Sequence, residues 1–276
     1  MERRVLNLAN PTATHVSAEA TSGTISGCLQ ALMPGELARP HRHSMHALRF
    51  VLEGEGAETI VEGKVCAMEP GDLVVTPGWT WHEHRNAGGA PTLWVDILDV
   101  AFHRAFGTAR FQPGPIQNAT STLPDSAFTG ASFVPVVAQA DPKNYSPVFR
   151  YAWADAQRAV AAAPADSDGS RTVRYADPVS GGAVLPTIDC YLTQIGEGDA
   201  TQATRSSAST LCVVAEGAGE TWIGEEVLAW EQGDVIALPQ DQWISHRCAT
   251  GPARLFLASN REIYRKFGLL KEERAA

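Results

Sequence analysis

The stretch PHRHSMHALRF, residues 40–50, sets three of the chain's eight histidines within six positions. Alternate residues of a β-strand share a face, so His41 and His43 project to one side and His46 to the other. A second cluster, PGWTWHEHRN, places His82 and His84 two residues apart, again on one face of a strand or its end. A barrel joining those two strands would aim several imidazoles at one interior point. Neutral imidazole suits divalent iron, zinc, copper and nickel, and the ligand arrangement decides what the ion can do. Arg49 lies an even number of residues beyond His43 and shares its face if the strand is unbroken. His46, His15 and His103 read as surface or interface residues, and Trp79 and Trp81 as core.

The elements that must hold these side chains are short apolar runs broken by Gly and Pro, a pattern that favours β structure. Strands are expected at 27–33, 47–53, 58–61, 73–76 and 93–99, with turns at PGE, EGEG, EGK, EPGD and NAGG. The 276 residues exceed one ordinary domain, and 44% apolar with 19% charged residues are globular values. No run approaches eighteen apolar residues, so no membrane span is expected. A net charge of −9 without a Lys/Arg stripe argues against nucleic acid and anionic membrane. An anionic small molecule would have to be captured by local cations. Cys28, Cys66, Cys190, Cys212 and Cys248 form no CxxC pair and read as buried free thiols. With the polar start MERRV, which has no secretory-signal character, they point to the cytoplasm.

Residues 51–77 lie over residues 213–239. The Glu-Gly pairs at 53–54 and 216–217 align at an offset of 163, and Gly-Asp at 71–72 and 233–234 at 162. Repeated strands with matching glycine turns imply two similar jelly-roll barrels in an all-β chain with minor helices. The expected layout is an N-terminal barrel at 1–106, and a surface connector with one helix at 107–186. A C-terminal barrel at 187–258 follows, then a terminal helix at 259–276 opened by a Ser259/Glu262 capping box. Adding 163 to His41 and His43 lands on Thr204 and Ser206, and His246 falls near the equivalent of His82. The second barrel is therefore expected to hold no metal.

Gly35, ELARP, His41-Arg42-His43 and Gly54, followed by Gly71, DLVVT, Pro77, His82 and Asn86, resemble the two motifs of the cupin superfamily. The usual Glu after the His pair is missing, and Trp79 replaces a motif Gly. With RRVLNLANP, HRHSMHALRFVLEGEG, TPGWTWHEHRN, WVDILD and STLCVVAEGAGET, the chain resembles the gentisate 1,2-dioxygenase family of bicupins over nearly its whole length. That resemblance implies double-stranded β-helix barrels, Fe(II) held by His41, His43 and His82, and a homo-oligomer, usually a tetramer. It implies cleavage by O2 of an aromatic ring bearing a carboxylate beside a hydroxyl. Arg49 would grip the carboxylate or stabilise bound superoxide and peroxide, His84 would serve as acid or base, and Asp96 would orient a histidine or hold the ring-cleavage water. Two departures bear on substrate: Met45 stands where the family commonly has Gln, and Ser26 or Gly27 replaces an aromatic. Two alternatives stand beside this reading: a metal-binding bicupin with isomerase or hydrolase chemistry, and a non-catalytic small-molecule-binding cupin.

Overall fold

The structure, a computed structural model, describes residues 4–11, 20–115, 123–128, 133–136 and 143–275. His15 lies outside these residues. The first nine strands are β1 (Arg4–Asn7), β2 (Ser26–Leu32), β3 (Leu37–His43), β4 (Ala47–Glu53), β5 (Ala57–Val61), β6 (Lys64–Met68), β7 (Leu73–Thr76), β8 (His82–Asn86) and β9 (Thr92–Leu98). Then come β10 (Phe111–Pro113), β11 (Arg150–Tyr151), β12 (Arg171–Tyr175), β13 (Asp189–Ile195) and β14 (Thr204–Ser206). The last are β15 (Thr210–Ile223), β16 (Glu226–Glu231), β17 (Val235–Leu238), β18 (Ile244–Ser259) and β19 (Glu272–Arg274).

Two antiparallel sheets form the first barrel, ordered β1-β2-β9-β4-β7-β11 and β10-β3-β8-β5-β6. In the second barrel the sheets are continuous, because β15 and β18 each run from one wall into the other. Register shifts at Val214/Glu216, Glu216/Ala218 and Ala218/Gly219 bend that path. Extra residues in one strand of a pair kink it and increase its twist. The first barrel breaks the same path outright, ending β4 at Glu53 and restarting at Ala57 after two positive-φ glycines, Gly54 and Gly56.

Duplication is written into the backbone. Gly54 and Gly217 have φ of 94° and 86°, and Gly71 and Gly233 have 85° and 93°. Two of the three left-handed non-glycines among the described residues also match: Trp79 at 62° and Asp241 at 60°. In both turns an Asp carboxylate accepts the amide three residues back, Asp72 from Glu69 at 3.2 Å and Asp234 from Glu231 at 2.9 Å.

Strand β4 is buried from Ala47 through Val51, with no alternation. Its even face cannot be wet because Leu48, Phe50 and neighbours pack on Leu211, Val213 and Phe256 of the second barrel. Phe50 and Phe256 stack with centroids 4.4 Å apart, a geometry worth about 0.5–1.5 kcal/mol beyond burial. The odd face carries Arg49 into the first barrel. A strand covered on both sides reads as an unbroken apolar run.

Two expectations are corrected. The connector does not simply lie on the surface: β10 extends the sheet beside β3, β11 pairs with β7, and β12 opens the second barrel's sheet by pairing with β13. Strand edges carry unpaired amides and carbonyls that such segments satisfy. The terminal helix spans only Arg261–Lys266, and Asn260 is its N-cap residue. No capping box forms: Ser259 Oγ accepts from the Arg261 amide rather than that of Glu262 while donating to the Ser209 carbonyl, and the Glu262 carboxylate is claimed by Arg174 and Arg265. Gly268, at φ 70°, follows the helix, and the chain resumes as β19 against β14. All five cysteines are free and buried, and burial pushes the Cys66 and Cys212 thiols up to about 12. No helix among the described residues is long and apolar enough to cross a membrane.

Candidate metal centre

Strands β3 and β8 are antiparallel neighbours with His41 opposite His82. The candidate ligand atoms of His41, His43 and His82 all lie within 4.8 Å of one another, and all three residues are buried. Each ring is fixed by its other nitrogen. Nδ1–H of His41 donates to Arg39 O at 2.7 Å, that of His43 to Met45 O at 2.9 Å, and that of His82 to Thr80 O at 3.0 Å. A backbone carbonyl accepts and never donates, so Nδ1 carries the proton and Nε2 keeps a lone pair. His82 Nε2 is buried without a hydrogen-bond partner. Burial, then the charges of His43, Arg49 and His41, hold the His82 pKa well below the usual imidazole range. Three convergent, neutral Nε2 donors at this spacing fit a divalent metal. The missing motif Glu leaves the set all-imidazole.

Arg49 does not continue the strand of His43. A bend at residues 44–46 separates β3 from β4, and the two strands belong to different sheets. Closure of the barrel, not strand alternation, brings Arg49 close enough for its charge to depress His82. The guanidinium is fully buried, its Nη1 donating to Thr76 Oγ1 at 2.5 Å and its Nε 3.7 Å from Asp96 Oδ1. Asp96 also accepts from Gln30 Nε2. Its carboxylate therefore serves Arg49 and Gln30. Gln30 was not anticipated; the only signal was its place two residues beyond Cys28, on the face of β2 that meets Asp96.

His84 is buried with Nδ1 2.9 Å from Thr59 Oγ1, and its ring lies 5.9 Å from that of His82 and 5.8 Å from Trp94. At the mouth, Phe111 of β10 stacks on His41 at 5.2 Å, a contact the sequence did not suggest.

Other assignments change. His46 is not a surface residue: half-buried, its Nδ1 accepts from Gly78 N–H at 3.0 Å while its own amide donates to Asp99 Oδ1 at 2.9 Å. Burial, then the charges of His103 and Lys266, push its pKa down to about 4. His103, also half-buried, sits 3.6 Å from the same Asp99. Trp81 is buried, as expected of core, but Trp79 is 45% exposed at a left-handed turn, with the Arg42 guanidinium over both rings.

The second barrel repeats the frame without the ligands. Thr204 faces Ile244 as His41 faces His82, so Thr204, Ser206 and Ile244 occupy the three ligand positions. His246 is the counterpart of His84, not of His82. It stands opposite Thr221, as His84 stands opposite Thr59.

Residues 28–98 match the cupin domain family. The chain is 37% identical to gentisate 1,2 dioxygenase 1 of Aquipseudomonas alcaligenes, over 99% of its own length and 80% of that protein. The chain belongs to the gentisate 1,2-dioxygenase family. Within that family it is also 33% identical to a Ralstonia sp gentisate 1,2-dioxygenase, across 98% of this chain and 77% of the relative. A solved salicylate 1,2-dioxygenase from Pseudoaminobacter salicylatoxidans, determined with gentisate, superposes with a TM-score of 0.92. It is 31% identical, and the match covers 100% of this chain and 78% of that one. As a gentisate 1,2-dioxygenase family member, the chain is a bicupin with its candidate metal centre in the N-terminal barrel.

Proposed function

We propose that this chain is an iron(II)-dependent dioxygenase that cleaves an aromatic ring bearing a carboxylate beside a hydroxyl, with gentisate plus O2 giving maleylpyruvate as the leading reaction. The observation that carries this reading is the trio of buried imidazoles whose Nδ1 protons are all committed to carbonyls, leaving three Nε2 lone pairs at one point. Iron bound there supplies Lewis acidity, redox chemistry and open coordination positions.

The chain's own residues supply orientation and proton handling. Arg49 offers a planar cationic fork inside a dry barrel, suited to a substrate carboxylate. Asp96 and Thr76 hold that fork in place, so the carboxylate meets a guanidinium that need not reorganise. His84 receives the proton of the substrate hydroxyl at Nε2. Fixing the ring between these groups converts an encounter into an oriented reaction, which contributes much of the acceleration. The chain works as a homo-oligomer, a tetramer by its family resemblance. Val5 and Leu6 on the exposed edge strand β1 are available to such contacts.

The test is aerobic incubation of iron-loaded protein with a panel of hydroxybenzoates and hydroxynaphthoates, following ring-fission absorbance and O2 uptake. Turnover of gentisate or a close analogue is expected. Protein carrying one iron per chain that turns over no member of the panel refutes the reading, and turnover that persists without O2 replaces it with isomerase or hydrolase chemistry.

A further inference from the structure

The two barrels place a threonine beneath an equivalent histidine and differ in what lies behind it. In the first barrel Thr59 Oγ1 is 2.9 Å from His84 Nδ1 and 3.2 Å from Met68 Sδ. In the second, Thr221 Oγ1 is 2.7 Å from His246 Nδ1 and 2.9 Å from Trp230 Nε1. Met68 and Trp230 are repeat equivalents, since Met68 and Trp230 each lie nine residues beyond the threonine. All these residues are buried, so the hydrogen-bond directions are set by the side chains and not by bulk water.

A hydroxyl has one proton to give, and its neighbours decide where that proton goes. Indole N–H only donates, so Trp230 occupies a lone pair of Thr221 and the hydroxyl proton is left for His246 Nδ1. His246 then carries its own proton on Nε2. A thioether only accepts, so Met68 draws the Thr59 proton and leaves the Thr59 lone pairs for His84 Nδ1–H. His84 then presents Nε2 as an acceptor.

We infer that Thr59 and Met68 are positioning residues that fix the His84 tautomer with Nε2 unprotonated, while Thr221 and Trp230 fix the opposite tautomer at His246. One barrel thus holds a proton acceptor where its copy holds a donor, a difference made two side chains away from the ring. This rests on the proposed acid–base role of His84 for its functional meaning, but not for its geometry. A histidine meant to take the proton of a substrate hydroxyl must arrive with that nitrogen bare.

The experiment is long-range proton–nitrogen correlation NMR on the full chain, labelled with nitrogen-15 histidine and loaded with diamagnetic zinc. His84→Gln and His246→Gln spectra assign the two signals. Expected are Nδ1–H for His84 and Nε2–H for His246 in the same spectrum; Nε2–H at both overturns the inference. Met68→Leu keeps the volume but removes the acceptor. It is expected to move His84 to Nε2–H and to lower kcat roughly a hundredfold, the scale of lost acid–base help. Metal content and KM should hold in that variant. Thr59→Ser should preserve the wild-type tautomer and rate, whereas Thr59→Val should not. An unchanged His84 tautomer in both Met68→Leu and Thr59→Val assigns the two residues to packing alone and overturns the inference. If the iron-loaded wild type cleaves no ring at all, the dioxygenase reading fails while the contrast between the two histidines remains readable.

Discussion

Arg49 and Asp96 stand directly opposite each other on β4 and β9, their side chains 1% and 3% exposed, with Nε 3.7 Å from Oδ1. The carboxylate is shared with Gln30, and the guanidinium with Thr76. Removing one partner of a buried pair strands the other charge without water. Asp96→Ala is therefore expected to cost about 3–5 kcal/mol of stability, measured by urea denaturation. A change within experimental error would show that Arg49 does not depend on Asp96.

His43→Ala should remove metal and turnover together. Two imidazoles remain in that variant, and divalent ions bind far less tightly to two nitrogen donors than to three. Elemental analysis of untagged protein, alongside O2 uptake, reads both effects. Full metal occupancy in the variant would place the ion elsewhere.

His84→Ala should keep its metal and lose rate. The expected fall in kcat is about a hundredfold or more, the range for a missing acid or base. Loss of metal instead would make His84 a ligand and reverse the assignment made with His82.

Acid should unfold the protein partly through His246. Burial pushes its pKa from 6.5 down to about 4, so between those values the unfolded chain binds the proton that the folded chain refuses. The stability is fully present above about 6.5 and is lost as the pH falls to about 4, on the order of 3 kcal/mol. Asp99 works in the other direction. Burial raises its carboxyl to about 7, so its contribution is present at acid pH and lost as the pH rises through about 7. In denaturation at about pH 7.5 and about pH 4.5, the wild type should lose more stability toward acid than His246→Gln does. Equal losses in the two proteins would refute the assignment.

Much of this was legible in the sequence. Strands 47–53 and 73–76 fall at their observed limits because glycine turns and Pro77 bound the apolar runs. The convergence of histidines on one point was legible in two His-x-His spacings, because strand alternation is local information, whereas the choice of His41, His43 and His82 among them came from the family resemblance. What failed was non-local. Gln30 meets Asp96 across 66 positions, and only the order of strands in the sheet makes them neighbours. Placing His246 near the equivalent of His82 missed by two residues: the strand register sets it opposite Thr221, as His84 stands opposite Thr59. Trp79 read as core because tryptophan is large and apolar, yet its motif position requires a left-handed turn that lifts the ring to the surface. The capping-box spacing was present at Ser259, but two arginines outcompeted the amide for Glu262.

Strand β4 touches the reaction chamber with one face and the neighbouring barrel with the other. The ligand-poor half of the chain is thus a splint laid along the back of the chemistry. A truncated first barrel would bare Leu48 and Phe50 to water and let Arg49 drift. That gives selection a reason to keep a whole second copy that lacks the histidine trio. It also means that damage at Phe256, on the far side of the wall, should be felt first as poor grip on substrate.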